Sequence, residues 1–272
     1  MTVATATATA VAAENLKVAY GETTILPDLS LDLQPGQITA IVGPNGSGKS
    51  TALRTLARLQ KPNSGAVYVN GRNIANLPTK ELARQMAILP QSPDVPSGVT
   101  VWDLAGYGRY PYQGLLGSFN RTDIEAIDWA LDVTGLTTFK DRPVDTLSGG
   151  ERQRAWIAMA LAQQTDILLL DEPTTFLDIR YQIEILSLVR TLNREQGITV
   201  GWVLHDLNQA AAYSDHIFML HSGQMYAQGS PTEVMTSAMI RDVFGIDVNV
   251  IPDPVSGCPT CLLYGLCGFA QV

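Results

Sequence analysis

Cysteine is nearly missing from this chain: there are three in 272 residues, all beyond position 257. That excludes a disulfide framework for the body of the fold and fits a reducing compartment. Basic residues are scarce as well. Eighteen Lys and Arg, only five of them Lys, face 26 Asp and Glu, a net charge of −8 at pH 7. The balance argues against an extended nucleic-acid-binding face. No apolar run reaches the roughly 18 residues that a membrane-crossing helix needs. The opening "MTVATATATAVAA" lacks the basic start and long apolar centre of a signal peptide. No turn or partner strand is marked near it, so residues 1–13 are expected to form a flexible tail.

What is present describes a globular chain with a sizeable core: 46% hydrophobic and 16% charged residues. Short candidate strands come first, "NLKVAY", "TTILPDLSLDL", "QITAIV" and "GAVYVNGRNIA", the last turning at Asn70-Gly71. "MAILPQ" ends a further strand at Gln91. From 98 to about 150 the periodicity becomes helical, in "TVWDLAGYGRYPY" and "RTDIEAIDWALDVTGL", around a connection rich in Gly, Pro and Tyr. Strands and helices then alternate again, without an internal repeat. The expected architecture is an α/β core interrupted by a mainly helical lobe.

"GPNGSGKST", residues 43–51, fits G-x-x-x-x-G-K-[ST] through Gly43, Gly48, Lys49 and Ser50. It lies between an apolar strand and a candidate helix, the context this phosphate loop requires. Pro44, Asn45, Gly46 and Ser47 complete the turn, and Thr51 opens the helix. Glycines let backbone N–H groups turn toward phosphate oxygens, and the helix start adds positive potential. Lys49 supplies a mobile charge for the β- and γ-phosphates, and the Ser50 hydroxyl can ligate Mg2+.

A phosphate loop alone leaves adenylate kinases, GTPases and many ATPases open. "DILLLDEP", residues 166–173, narrows the choice: four apolar residues read as a buried parallel strand ending in Asp171 and Glu172. Asp171 would orient Mg2+ or its water shell, and Glu172 would polarise the attacking water. "LSGGE" follows the helical region and opens a long periodic segment, with Ser148 suited to cap that helix and Gly149 and Gly150 baring its amides.

Together, "GPNGSGKST", "LSGGERQR" and "ILLLDEP" resemble the ATP-binding-cassette family, over about residues 14–230. The resemblance implies a P-loop cassette fold: a RecA-like core, an antiparallel β-subdomain and a helical subdomain inserted at about 95–150. Residues 231–272 would then be a C-terminal extension packed on the core. It implies an ATP hydrolase using ATP and Mg2+, in which two cassettes pair head to tail. Each ATP would lie between one phosphate loop and the other copy's Ser148, Gly149 and Gly150. Gln91 would sense Mg2+ and the γ-phosphate, Asp178 in "TTFLDI" would sit at the pairing interface, and His205 in "VLHD" would contact the γ-phosphate. Tyr20 in "VAYGE" occupies the place of the aromatic that stacks on adenine. Read without the family, Tyr20 is equally a core tyrosine, Gln91 an unremarkable strand end, and His205 a structural histidine.

The stretch "GYGRYPYQGLLG", residues 106–117, has the composition of a shaped docking surface. It resembles the corresponding region of cassettes serving iron–siderophore, haem and cobalamin importers, as do "LDEPTTFLDI" and the "DPVSG" of the tail. That branch implies integral membrane permease partners, an external substrate-binding protein and a peripheral place on the cytoplasmic face of the inner membrane. Rival readings are a manganese or zinc importer, an exporter, a translation-associated tandem cassette and a soluble cassette of DNA repair or iron–sulfur assembly. Cys258 and Cys261 form a C-x-x-C pair with Cys267 beyond it. Metal and redox roles stand beside plain buried or surface thiols, though a structural zinc site wants four ligands.

Overall fold

A computed structural model of the chain describes residues 9–91, 97–114 and 117–266. These fall into two compact units, one of Met1–Ala75 with Thr199–Val272 and one of Asn76–Ile198.

The first unit begins with β1 (Val11–Tyr20) and β2 (Thr23–Leu33). After them come β3 (Ile38–Val42), α1 (Lys49–Leu56), β4 (Ser64–Val69) and β5 (Arg72–Asn73). An antiparallel sheet runs in the order β2-β1-β4-β5. Its strands alternate, burying Leu16, Val18, Leu26, Leu29, Leu31 and Leu33 on one side. The expected tail over 1–13 is corrected at its end. Strand β1 opens at Val11, which is wholly buried and sits between Leu33 and Val69. Those partners lie far along the chain, so nothing adjacent in sequence announces the pairing. The "NG" turn between β4 and β5 is as expected: Asn70 (φ 49°) and Gly71 (φ 74°) both take the positive φ of a tight hairpin turn.

The second unit holds α2 (Thr79–Ala83), β6 (Met86–Leu89), α3 (Val101–Tyr107) and α4 (Arg121–Val133). It continues with α5 (Gly149–Ala162), β7 (Ile167–Asp171) and α6 (Ile179–Gln196). Strands β6 and β7 pair in parallel. Helices α3, α4 and α5 each open with a capping box, Thr100–Asp103, Asn120–Asp123 and Ser148–Glu151, and pack on one another. The helical packing therefore does not end near 150. Helix α5 joins α3 and α4 to β6, because its Ala155–Ala158 face and Leu161 are buried.

The stretch at 106–117 also differs from expectation; its Leu115 and Leu116 lie outside the described residues. Arg109 is 4% exposed and its Nε meets Asp123 Oδ1 at 2.9 Å. Its Nη1 donates to the Ala162 carbonyl (2.8 Å) and to Gln164 Oε1 (3.1 Å), and its guanidinium lies 3.9 Å from the centre of the Tyr112 ring. Tyr112 in turn donates to the Gln163 carbonyl at 2.9 Å. A planar cation with five donors can tie the ends of three helices at once, so this arginine holds the lobe together rather than presenting a docking face. Among the described side chains of this stretch, Tyr110 is half-exposed and turned outward.

The chain then returns to the first unit as β8 (Thr199–Val203), α7 (Leu207–Tyr213), β9 (His216–His221) and β10 (Gln224–Gly229). It ends in α8 (Pro231–Val234), α9 (Ser237–Phe244), β11 (Ile246–Pro252) and β12 (Pro259–Leu266). Strand β3 lies between β8 and β9, parallel to both, which is why all five of its residues are buried. Helix α9 packs on β11, and α7 touches β12. Within the C-terminal extension Cys261 is 5% exposed and Leu263 71%.

Candidate nucleotide site

In the first unit, β3 delivers the chain into the loop 43–48 and α1 carries it away. Glycine is obligatory at the entrance. Gly43 has φ 150°, and a Cβ there would lie 2.2 Å from the Leu220 carbonyl oxygen and 2.7 Å from Ser47 Oγ. Gly46 (φ 79°) has open space where a Cβ would be, so the loop leaves room on that side. The Lys49 ammonium, 5% exposed, donates to the carbonyls of Gly43 and Pro44 at 2.9 Å each. Its charge is thus held at the mouth of the loop. Ser47 is 2% exposed, and its Oγ is buried without a hydrogen-bond partner. A helix start has N–H groups with no intrahelical acceptor. An orphaned hydroxyl, a fixed ammonium and a helix start at one glycine-lined turn fit the oxygens of a polyphosphate. Tyr20 closes β1 at 48% exposure, leaving its ring available to a planar partner. His205, exposed, stands in the turn between β8 and α7.

In the second unit, β7 ends in Asp171, 1% exposed, followed by Glu172, 8% exposed. Glu172 has φ 55°, an uncommon backbone state for a side chain of this size. Strain of this kind costs on the order of 1–3 kcal/mol and collects at working sites. Its carboxylate is oriented by two donors to one oxygen: Gln91 Nε2 at 2.5 Å and Thr175 Oγ1 at 3.1 Å from Oε2. The structure thus brings Gln91 and Glu172 together. Thr175 is a partner that sequence reasoning missed, although its place three residues after the glutamate in "EPTT" was the available signal.

Ser148 caps α5 as expected, its Oγ accepting from Glu151 N–H at 3.3 Å and donating to Glu151 Oε2 at 2.9 Å. The Ser148 N–H donates to the same carboxylate oxygen at 2.9 Å. These backbone and side-chain bonds from Ser148 lower the Glu151 pKa. The Glu151 carboxylate stays ionised at neutral pH, and the reciprocal cap is lost only as pH falls through that lowered value. Gly149 and Gly150 follow Ser148 in the first turn of α5. Gly150 lies under the Tyr181 ring, where a Cβ would sit 2.5 Å from ring carbon Cγ. Asp178 caps α6 through an Oδ1 that accepts from Tyr181 N–H at 3.1 Å. Tyr181, whose N–H is held by Asp178, thus sets the first turn of α6 against Gly150 of α5. Replacing Gly150 with Ala should displace Tyr181 and lower the midpoint of thermal unfolding by several degrees, while Gly149→Ala, with only Leu177 at 3.9 Å, should be milder.

Cys261 is 5% exposed, and burial first, then the charge of Asp206, pushes its thiol up to about 11. The thiolate is the reactive and metal-binding form, so this cysteine is inert near neutral pH. Among the described residues no group of three His, Cys, Asp or Glu could hold a metal ion; Cys267 lies outside them.

A phosphate loop between a buried parallel strand and a helix, with a strand-end carboxylate pair and a second capped helix start, defines a P-loop nucleotide hydrolase. Comparison with known proteins places it more closely. Residues 26–175 match the family model described as ABC transporter. The chain is 49% identical over 253 residues to the iron(3+)-hydroxamate import ATP-binding protein FhuC of Bacillus subtilis (strain 168), covering 93% of this chain and 94% of that one. It is 48% identical over 252 residues to the ferric enterobactin transport ATP-binding protein FepC of Escherichia coli (strain K12), covering 93% of each. Among solved structures it resembles an ABC transporter in an inward-facing conformation (TM-score 0.82, 28% identity, 95% of this chain and 98% of that one). It also resembles the dimeric ABC transporter cassette MJ0796 (TM-score 0.72, 29% identity, 81% and 98%). The chain belongs to the ABC transporter family, as an ATP-binding, ATP-hydrolysing cassette of the importer type. Among the described residues no helix is long and apolar enough to cross a membrane.

Proposed function

We propose that this chain is the motor subunit of an importer of iron(III)–siderophore complexes, docked on the cytoplasmic face of the inner membrane against integral permease subunits. The observation that carries the cargo class is the 49% identity, over 93% of the chain, with a cassette named for iron(3+)-hydroxamate import. The cassette does not touch the cargo, so specificity resides in the permease and the external binding protein.

In this reading Tyr20 stacks on adenine, and the loop from Gly43 through Pro44, Asn45, Gly46, Ser47 and Gly48 wraps the phosphates with Lys49, Ser50 and Thr51. Ser50, Gln91 and Asp171 would hold Mg2+, which would supply charge neutralisation for the phosphate oxygens. Glu172 takes the proton of the attacking water, and His205 donates toward the γ-phosphate. Ser148, Gly149, Gly150 and Asp178 serve the nucleotide of a second copy, so that two cassettes close on two ATP molecules. Closure pulls the permease loops, and hydrolysis releases them.

Lys49→Ala removes the buried ammonium, and ATP affinity and turnover should both fall, turnover by on the order of a hundredfold. Equilibrium nucleotide binding and phosphate release check this. Mixing Lys49→Ala with Ser148→Arg chains tests the pairing: one composite site should carry both lesions and the other neither, so the mixture should recover turnover that each variant alone lacks. Equal inactivity of the mixture would count against the head-to-tail arrangement. The cargo is tested by isolating the membrane partners and measuring vesicle uptake of ferric siderophores, haem, cobalamin and manganese. Import of manganese and of none of the large chelates would overturn the cargo assignment while leaving the ATPase intact.

A further inference from the structure

The C-terminal hairpin of the first unit is fastened to the helix that begins just after His205. Asn208, in the first turn of α7, makes part of this fastening. Its Oδ1 accepts from the Cys261 N–H at 2.7 Å, and its Nδ2 donates to the Cys261 carbonyl at 3.3 Å. A carboxamide that reads both main-chain groups of one residue imitates a neighbouring strand, so β12 meets a partner at the start of α7. Asp206, between His205 and α7, caps that helix by accepting from Gln209 N–H at 2.9 Å. His205, Asp206, Leu207 and Asn208 line a hollow of about 270 Å3 whose other wall is Phe244, Ile246, Cys261 and Leu263. The wall opposite His205 is thus built from α9, β11 and β12. The turn carrying His205 is held at its upstream end by β8, which lies in the parallel sheet, and at its downstream end by α7. Asn208 is a point at which the hairpin holds that downstream end.

We propose that the hairpin β11–β12 sets the position of His205 through Asn208, which makes Asn208 a positioning residue for ATP turnover. This rests on the reading of His205 as a γ-phosphate contact. The pairing uses the main chain of Cys261, so the residue that matters is Asn208 and the thiol is dispensable.

The chain has three histidines, so ring-labelled histidine yields a spectrum of three side-chain signals, and His205→Ala identifies one of them. In Asn208→Ala the His205 signal should move while those of His216 and His221 stay in place. The kcat for ATP should fall on the order of tenfold, as expected when a contacting group is displaced, with KM within about twofold. Cys261→Ala, which keeps both main-chain bonds, should match the parent chain in spectrum and in turnover. An unmoved His205 signal in Asn208→Ala, or an unchanged kcat, overturns the proposal. Slow turnover in His205→Ala beside normal turnover in Asn208→Ala overturns it alone. Undiminished turnover in His205→Ala removes the γ-phosphate reading and this proposal with it.

Discussion

Glu172→Gln is expected to bind ATP as tightly as the parent chain and to hydrolyse it more slowly by a factor on the order of a hundred to ten thousand, the range a positioned general base contributes. The geometry says why binding survives. Gln91 Nε2 and Thr175 Oγ1 both donate to Oε2 of Glu172, and a glutamine can offer its amide oxygen to the same pair. Shape, hydrogen bonds and the φ of 55° are retained, while the proton acceptor is lost. Filter binding of labelled ATP, with single-turnover phosphate release in the same preparation, measures the two quantities separately. Normal phosphate release would remove Glu172 from the catalytic role. Thr175→Val should have a smaller effect of the same kind, because one of the two orienting donors remains.

Arg109→Ala is the second large effect, and it falls on stability. The side chains of Arg109 and Asp123 are 5% and 1% exposed. Removing the arginine strands a carboxylate that water cannot reach, at a cost of about 3–5 kcal/mol. Asp123 also accepts from the Asn120 N–H at 3.0 Å through its second oxygen, so the start of α4 should loosen with it. Thermal unfolding of Arg109→Ala should come about 10 °C below the parent, given about 2–4 °C per kcal/mol for a domain of this size. Adding Asp123→Asn to Arg109→Met should recover most of the loss, because the pair is then neutral and the volume is kept. An Arg109→Ala chain as stable as the parent would show that water reaches Asp123 after all. A docking arginine would give the opposite result, with stability unchanged and partner binding lost.

These two expectations differ in how far the sequence could lead to them. Strand β2 and the run from β3 through the loop into α1 were legible because their signals are local: alternation, a closed apolar run, glycines at fixed spacing, and Lys-Ser opening a helix. The hairpin at Asn70-Gly71 was legible because those two residues tolerate positive φ. Family resemblance placed Gln91 at the nucleotide, but its bond to Glu172 was not legible, since the two are 81 residues apart. Thr175 was missed although it stands three residues after Glu172, because a threonine in an acidic turn resembles many other polar loop residues.

The sequence by itself determined the chemistry: a polyphosphate loop, a strand-end carboxylate pair and a capped glycine turn. Each is a short motif whose function follows from backbone conformation and charge within a few residues. Tertiary structure alone decided where the first strand begins, because Val11 is a strand residue only through Leu33 and Val69 on either side of it. It also decided that Arg109 is a buried tie rather than a surface contact, since Asp123, Ala162 and Gln164 converge on it from separate helices and loops. The fastening of the last hairpin beside His205 is of the same kind, resting on Asn208 and Cys261, 53 residues apart. Burial and long-range hydrogen bonding belong to pairs of residues, and composition along one segment carries no record of which distant segment will supply the other half.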